Sequence, residues 1–171
     1  MKQKNSQSRH SGIQTGSDSI AESRVAFIQA GWHRDIVDQG QQAFVDTFVE
    51  LGGVRENIDI FYVPGSYEIP LQAKILAESG FYEAVVAAGL VVNGGIYSHE
   101  FVASAVASGL MRVQLDANVP VLTMVLSPLN FHETEDHTSF FSRHFLKKGA
   151  EAAVACVETI RNRSAFKKAV A

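Results

Sequence analysis

The stretch GLVVNGGIYSHEF, from Gly89 to Phe101, sets a double glycine and a histidine directly after an apolar run. The unbroken run Ala84 to Val92 has the character of a strand buried on both faces, and Gly94-Gly95 lets the backbone turn and approach a ligand closely. Val102, Val106, Leu110 and Val113 then recur at helical spacing. A helix starting near His99 would aim the free N–H groups of its first turn over the strand end, a place suited to phosphate or another anion. Imidazole as a class exchanges protons near neutrality, so His99 is a candidate proton carrier; the plainer alternative is a helix-start residue without chemistry.

Other residues invite the same weighing. Trp32 is the only tryptophan and follows an apolar run directly. It is either a packing aromatic at the sheet edge or a flat platform for a heteroaromatic ring, where stacking is worth roughly 1–3 kcal/mol. VPGSYEIP, Val63 to Pro70, carries Ser66, Tyr67 and Glu68 on a turn made by Pro64-Gly65. Glu68 either caps the following helix or, with Ser66, offers carboxylate and hydroxyl to a polyhydroxylated chain. His132, His137 and His144 raise a metal reading. HETEDH is one residue longer than the zinc-binding HExxH pattern, and on a helix its two histidines would lie about 140° apart, so no metal site is expected. Arg143, Lys147 and Lys148 read as solvated charges unless one of them neutralises an anion. Cys156 reads as a small packed side chain.

The elements that must position these residues alternate. Strands are expected over Arg24 to Ala30, Asn57 to Val63, Ala84 to Val92 and, after Pro120, over VLTMVLS. Val37, Phe44, Phe48 and Leu51 mark a helix ending at Gly52-Gly53; a second helix runs from Ile69 to Leu76 and ends at Gly80. A third runs from His99 to Ala117, and a long last helix contains Ala150, Ala153, Val154, Val157 and Ile160 after a histidine-rich loop. Four strands alternating with four helices predict an α/β protein: a three-layer α/β/α sandwich with a four-stranded parallel, flavodoxin-like sheet and helices on both faces. In such a sheet the ligand sits at the carboxyl ends of the strands, where Gly31-Trp32-His33, Pro64 to Glu68 and Asn93 to His99 all fall.

The chain has 171 residues, 15 basic and 18 acidic, for a formal net charge of −3. That length predicts one domain, from residue 24 to 171, and the charge supplies no global field for nucleic acid or an anionic membrane. Residues 1–23, rich in Ser, Gln, Gly and charge, contain no apolar run of secretory or membrane length and are expected to form a disordered tail. A single cysteine excludes an internal disulfide framework and agrees with a cytoplasmic setting.

Taken together, from about Arg24 to Ile160, these residues resemble the lumazine synthase family. VPGSYEIP is similar to that family's VPGAFEIP-type motif, and KKGAEAA, Lys147 to Ala153, to its NKGAEAA-type segment. The resemblance implies a transferase of riboflavin synthesis that condenses 5-amino-6-(D-ribitylamino)uracil with 3,4-dihydroxy-2-butanone 4-phosphate and needs no cofactor. It places Trp32 on the pyrimidine ring, Ser66, Tyr67 and Glu68 on the ribityl chain and ring edge, and Leu90, Val91 and Val92 along the ring through their backbone. Thr123 makes a further ring contact, Gly95 and Ile96 present N–H groups to phosphate, and His99 carries the proton. Asn93 stands where the family has an arginine and Ser98 where it has its histidine, displacing His99 by one residue. His137 stands where the family has a phosphate-binding arginine, and it and Lys148 would come from a neighbouring subunit. These departures are similar to the divergent second bacterial type, which implies a homo-oligomer of pentamers, a decamer. A non-catalytic flavin or lumazine binder on the same fold is the competing reading, and an unrelated phosphate-ligand protein of flavodoxin-like architecture is a third.

Overall fold

The computed structural model describes residues 19–94 and 98–170. In chain order the elements are α1 (Ser19–Glu22), β1 (Val25–Ala30), α2 (Arg34–Glu50), β2 (Ile58–Val63), α3 (Ile69–Glu78), β3 (Ala84–Leu90), α4 (His99–Ala117), β4 (Val121–Leu126) and α5 (Glu135–Val170). Single 3₁₀ turns, Arg55–Asn57 and Ser66–Glu68, precede β2 and α3. The four strands are all parallel in the order β2-β1-β3-β4, with Val25 opposite both Ile58 and Ala84, and Val85 opposite Val121. This is the flavodoxin-like α/β sandwich that the alternating pattern predicts.

Alternation along the strands divides the core into two layers. Val25 and Phe27 of β1 and Val86, Ala88 and Leu90 of β3 point to one side, against Phe44 and Phe48 of α2 and Phe145, Val157 and Ile160 of α5. Ala26 and Ile28, with Val85 and Ala87, point to the other, against Ile69 and Ala73 of α3 and Val106, Leu110 and Val113 of α4. The central strands β1 and β3 are buried at every position, as their apolar runs require. The edge strand β2 alternates, with Ile60 and Tyr62 exposed.

Helices α2 and α5 approach at glycines: a Cβ on Gly149 would stand 2.1 Å from the Gly40 carbonyl oxygen. Gly149 therefore lets α5 lie on the α2 backbone, which a bulkier seam would hold apart. At the amino ends of the strands, Arg24 binds Asp59 at 2.5 Å and the Tyr82 hydroxyl donates to the same carboxylate at 2.8 Å. This network clamps the chain entering β1 to β2 and to the loop before β3.

Three boundaries differ from expectation. The tail expected over residues 1–23 reaches the core at its end, because Ser19–Glu22 forms a helical turn and Ile20 is 3% exposed within the layer of α2 and α5. Residues 1–18 lie outside the described residues. β3 stops at Leu90 rather than Val92: its partners run out at Ala88, opposite Gln29 of β1, and at Leu90, opposite Leu126 of β4. The histidine-rich loop is short, because α5 begins at Glu135 and takes in His137 and His144. Thr134 starts it, its carbonyl accepting the Thr138 N–H at 2.9 Å, with Glu135 and Asp136 in the first turn as the helix dipole favours.

Candidate active site at the carboxyl ends of the strands

β1 leads into α2 through Gly31, Trp32 and His33 alone. The Gly31 N–H donates to the Val63 carbonyl at 2.9 Å, and a Cβ at Gly31 would stand 3.2 Å from the Pro64 carbonyl oxygen, so the ends of β1 and β2 are pressed together. Trp32 projects from this junction, 70% exposed. Beside it the Ser66–Glu68 turn is closed by its own acid, with the Gly65 N–H donating to Glu68 Oε2 at 2.9 Å. The capping role weighed for Glu68 is thus realised by one oxygen. Glu68 nevertheless lines the cleft. A Cβ on Gly89 of β3 would stand 2.6 Å from Ser66 Oγ, so only glycine there leaves room for that hydroxyl.

These pieces surround a cavity of about 390 Å³. Trp32 and the 65–68 turn form one wall, Leu90 to Val92 the floor, and Gly94, Ser98, His99 and Val102 the side where α4 begins. His99 is half-buried, and its Nδ1 is enclosed with no hydrogen-bond partner among the described residues. His99 thus lines the cavity with one ring nitrogen turned into the protein. Apolar walls, one large ring surface and a few convergent hydroxyl, carboxylate and imidazole groups are what orient a small organic ligand. A wider groove of about 590 Å³ lies beside Pro120, between the last turns of α4 and α5. It is lined by no acid or imidazole, so the smaller cavity is the candidate site.

Eight expected site residues converge here: Trp32, Ser66, Tyr67, Glu68, Leu90, Val91, Val92 and His99. Gly95 and Ile96 lie outside the described residues. Thr123, His137 and Lys148 do not line the cavity of their own chain. Thr123, exposed on β4, accepts the Val125 N–H at 3.1 Å. His137 sits in the first turn of α5 between Phe131 and Phe141, its Nδ1 accepting the His132 N–H at 3.2 Å. The two histidines of HETEDH therefore come together, with ring centres 5.3 Å apart, because His132 precedes the helix instead of sharing it. Lys148 pairs with Glu151 at 2.7 Å, and that hydrogen bond holds the Glu151 carboxyl below its usual range. Burial pushes the Cys156 thiol up to about 12, so it is no nucleophile. Four further lining residues, Gly65, Gly94, Ser98 and Val102, were not singled out as site residues. Val102 was legible in principle, since it stands three residues after His99 and so shares its helix face.

A parallel α/β sandwich with an aromatic-walled, hydroxyl-bearing cleft at its strand ends defines a small-molecule enzyme of the doubly wound class. The family model for 6,7-dimethyl-8-ribityllumazine synthase matches residues 22–164, and the chain belongs to this family. It is 57% identical over 143 residues to a 6,7-dimethyl-8-ribityllumazine synthase of Rhodococcus erythropolis, covering 84% of this chain and 92% of that protein. It is 53% identical over 148 residues to a 6,7-dimethyl-8-ribityllumazine synthase 2 of Pseudomonas syringae pv. tomato, covering 86% and 87%. A synthase 2 of Bradyrhizobium diazoefficiens is 56% identical over 137 residues, 80% of this chain and 82% of its own. The chain is accordingly a transferase of riboflavin biosynthesis.

Proposed function

We propose that the cavity beside Trp32 binds 5-amino-6-(D-ribitylamino)uracil and joins it to 3,4-dihydroxy-2-butanone 4-phosphate, giving 6,7-dimethyl-8-ribityllumazine, phosphate and water. The convergence of seven family-matched residues and the displaced His99 on one cavity around the only tryptophan carries this reading. Trp32 stacks on the pyrimidine, Ser66, Tyr67 and Glu68 take the ribityl hydroxyls and ring edge, and the backbone of Leu90 to Val92 lines the ring. Amine attack on the ketone gives an imine, phosphate leaves by elimination, and the second carbonyl closes the ring. Both reactants are intrinsically reactive, so holding them in register supplies most of the acceleration. His99 moves the proton, and the N–H groups of Gly95 and Ile96 hold the phosphate.

His137 and Lys148 are assigned to the site of the neighbouring chain, and Thr123 to a further ring contact. The absence of His137 and Lys148 from their own chain's cavity supports this placement. The active form is then a homo-oligomer of pentamers, a decamer, built from one catalytic domain per chain. A cytoplasmic setting agrees with the single buried thiol; no helix among the described residues is long and apolar enough to cross a membrane. The test mixes purified protein with both substrates and follows lumazine formation against the spontaneous rate. Acceleration that disappears in Trp32→Ala is the expected result. Flavin or lumazine binding with no acceleration would overturn the catalytic reading in favour of a binder.

A further inference from the structure

His33 stands next to the ring platform without lining the cavity. Its backbone is left-handed, φ 50° and ψ 43°, a region that only one other non-glycine residue, Asn118, adopts among the described residues. The cause is local. β1 ends at Ala30 and α2 starts at Arg34, so the chain must reverse within three residues while Trp32 is thrown outward. His33 completes the reversal and starts the helix: its carbonyl accepts the N–H groups of Ile36 at 3.0 Å and Val37 at 3.1 Å.

Glycine takes this conformation without strain, and Asn and His are the residues enriched there beside it, but histidine also brings a ring. That ring meets Phe131 edge-on, with centres 5.0 Å apart and planes at 68°. Phe131 comes from the segment between β4 and α5 and is itself packed on Phe141, with centres at 5.4 Å. On the other side of the turn, the Arg34 guanidinium lies 4.4 Å from the centre of the Tyr62 ring on β2. The residues after Trp32 are thus held from two directions by elements that do not touch the ligand.

We propose that His33 is a positioning residue for Trp32: its left-handed backbone aims the indole into the cavity, and its ring, wedged on Phe131, keeps it there. This rests on the assignment of Trp32 as the platform for the pyrimidine. A left-handed residue beside a binding surface, with its own packing partner, marks a place where the backbone sets the orientation of its neighbour. Because the contact acts before any substrate arrives, its consequence is on binding of the ring-bearing substrate, not on the chemical step.

Trp32 is the only tryptophan, so its fluorescence reports the platform alone. His33→Gly and His33→Asn both accept the left-handed backbone while removing the imidazole ring. In the ligand-free oligomer, each is expected to lower Trp32 fluorescence anisotropy while leaving the far-ultraviolet circular dichroism unchanged. In turnover, KM for the ribitylaminouracil is expected to rise about tenfold, with kcat and the phosphate-ketone KM within about twofold. Phe131→Leu should reproduce both effects. Unchanged anisotropy and unchanged KM in both His33 variants would overturn the proposal. Lower anisotropy in a protein that forms no lumazine would support the positioning role and refute the function assigned to the cavity.

Discussion

At the scale of single residues, the site depends on small clearances and on one free nitrogen. The enclosed Nδ1 of His99 lacks a partner among the described residues, so replacing the ring removes the proposed proton carrier without breaking a hydrogen bond of that nitrogen. His99→Ala should lower kcat about 100-fold and change either KM much less, as steady-state kinetics with both substrates would show. An unchanged kcat removes His99 from the chemistry. Trp32, Glu68 and His99 were each legible from residue type and position after an apolar run. The contact of Gly89 with Ser66 was not, because it joins residues 23 positions apart through the packing of β3 on the 65–68 turn. The left-handed backbone of His33 was equally hidden: nothing in its type demands that conformation, and only the three-residue link between β1 and α2 imposes it.

At the scale of elements, two interfaces decide whether the strand ends stay aligned. The α2–α5 seam closes on Gly40 and Gly149, and a methyl group at Gly149 meets backbone that cannot rotate away. Gly149→Ala should cost about 2 kcal/mol, read as a lower urea midpoint with the slope unchanged. An unaltered midpoint would mean that the helices separate without cost. Near the amino ends of the strands, the hydrogen bond from Arg24, with that from Tyr82, holds the Asp59 carboxyl below its ordinary value of 3.8. A carboxyl whose pKa is depressed by folding stabilises above its unfolded pKa, and loses that contribution as pH falls through the folded value. Asp59→Asn should therefore lower stability at pH 7 by up to about 1 kcal/mol, the pair being partly solvated, and the difference should fade as pH falls through the depressed folded value. A difference that persists in acid would assign it to packing. Strand and helix periodicity made these elements readable to within a residue or two, His99–Ala117 matching its expected span. The start of α5 was missed because three histidines suggested a loop, although Thr134 followed by two acids is a helix-start pattern.

At the scale of the whole molecule, His137 and Lys148 do not line the cavity of their own chain. If the neighbouring chain supplies them, two damaged chains can repair one another. Trp32→Ala spoils the pocket and His137→Ala spoils the residue lent, so an equal mixture, dissociated and reassembled, should regain about one quarter of the wild-type activity by random assortment. Activity no higher than the sum of the separate variants would confine each site to one chain. The sequence by itself determined the fold class, since apolar runs at period two or unbroken, alternating with helical spacing, leave few ways to bury every face. It also placed the candidate chemistry at the strand ends, where that topology puts ligands. Only the tertiary structure decided which of those residues share a cavity, that glycines at 40, 89 and 149 admit specific neighbours, and that His33 turns left-handed beside Trp32. Such facts depend on distances of a few tenths of an ångström between residues far apart in the chain, and no local pattern encodes them.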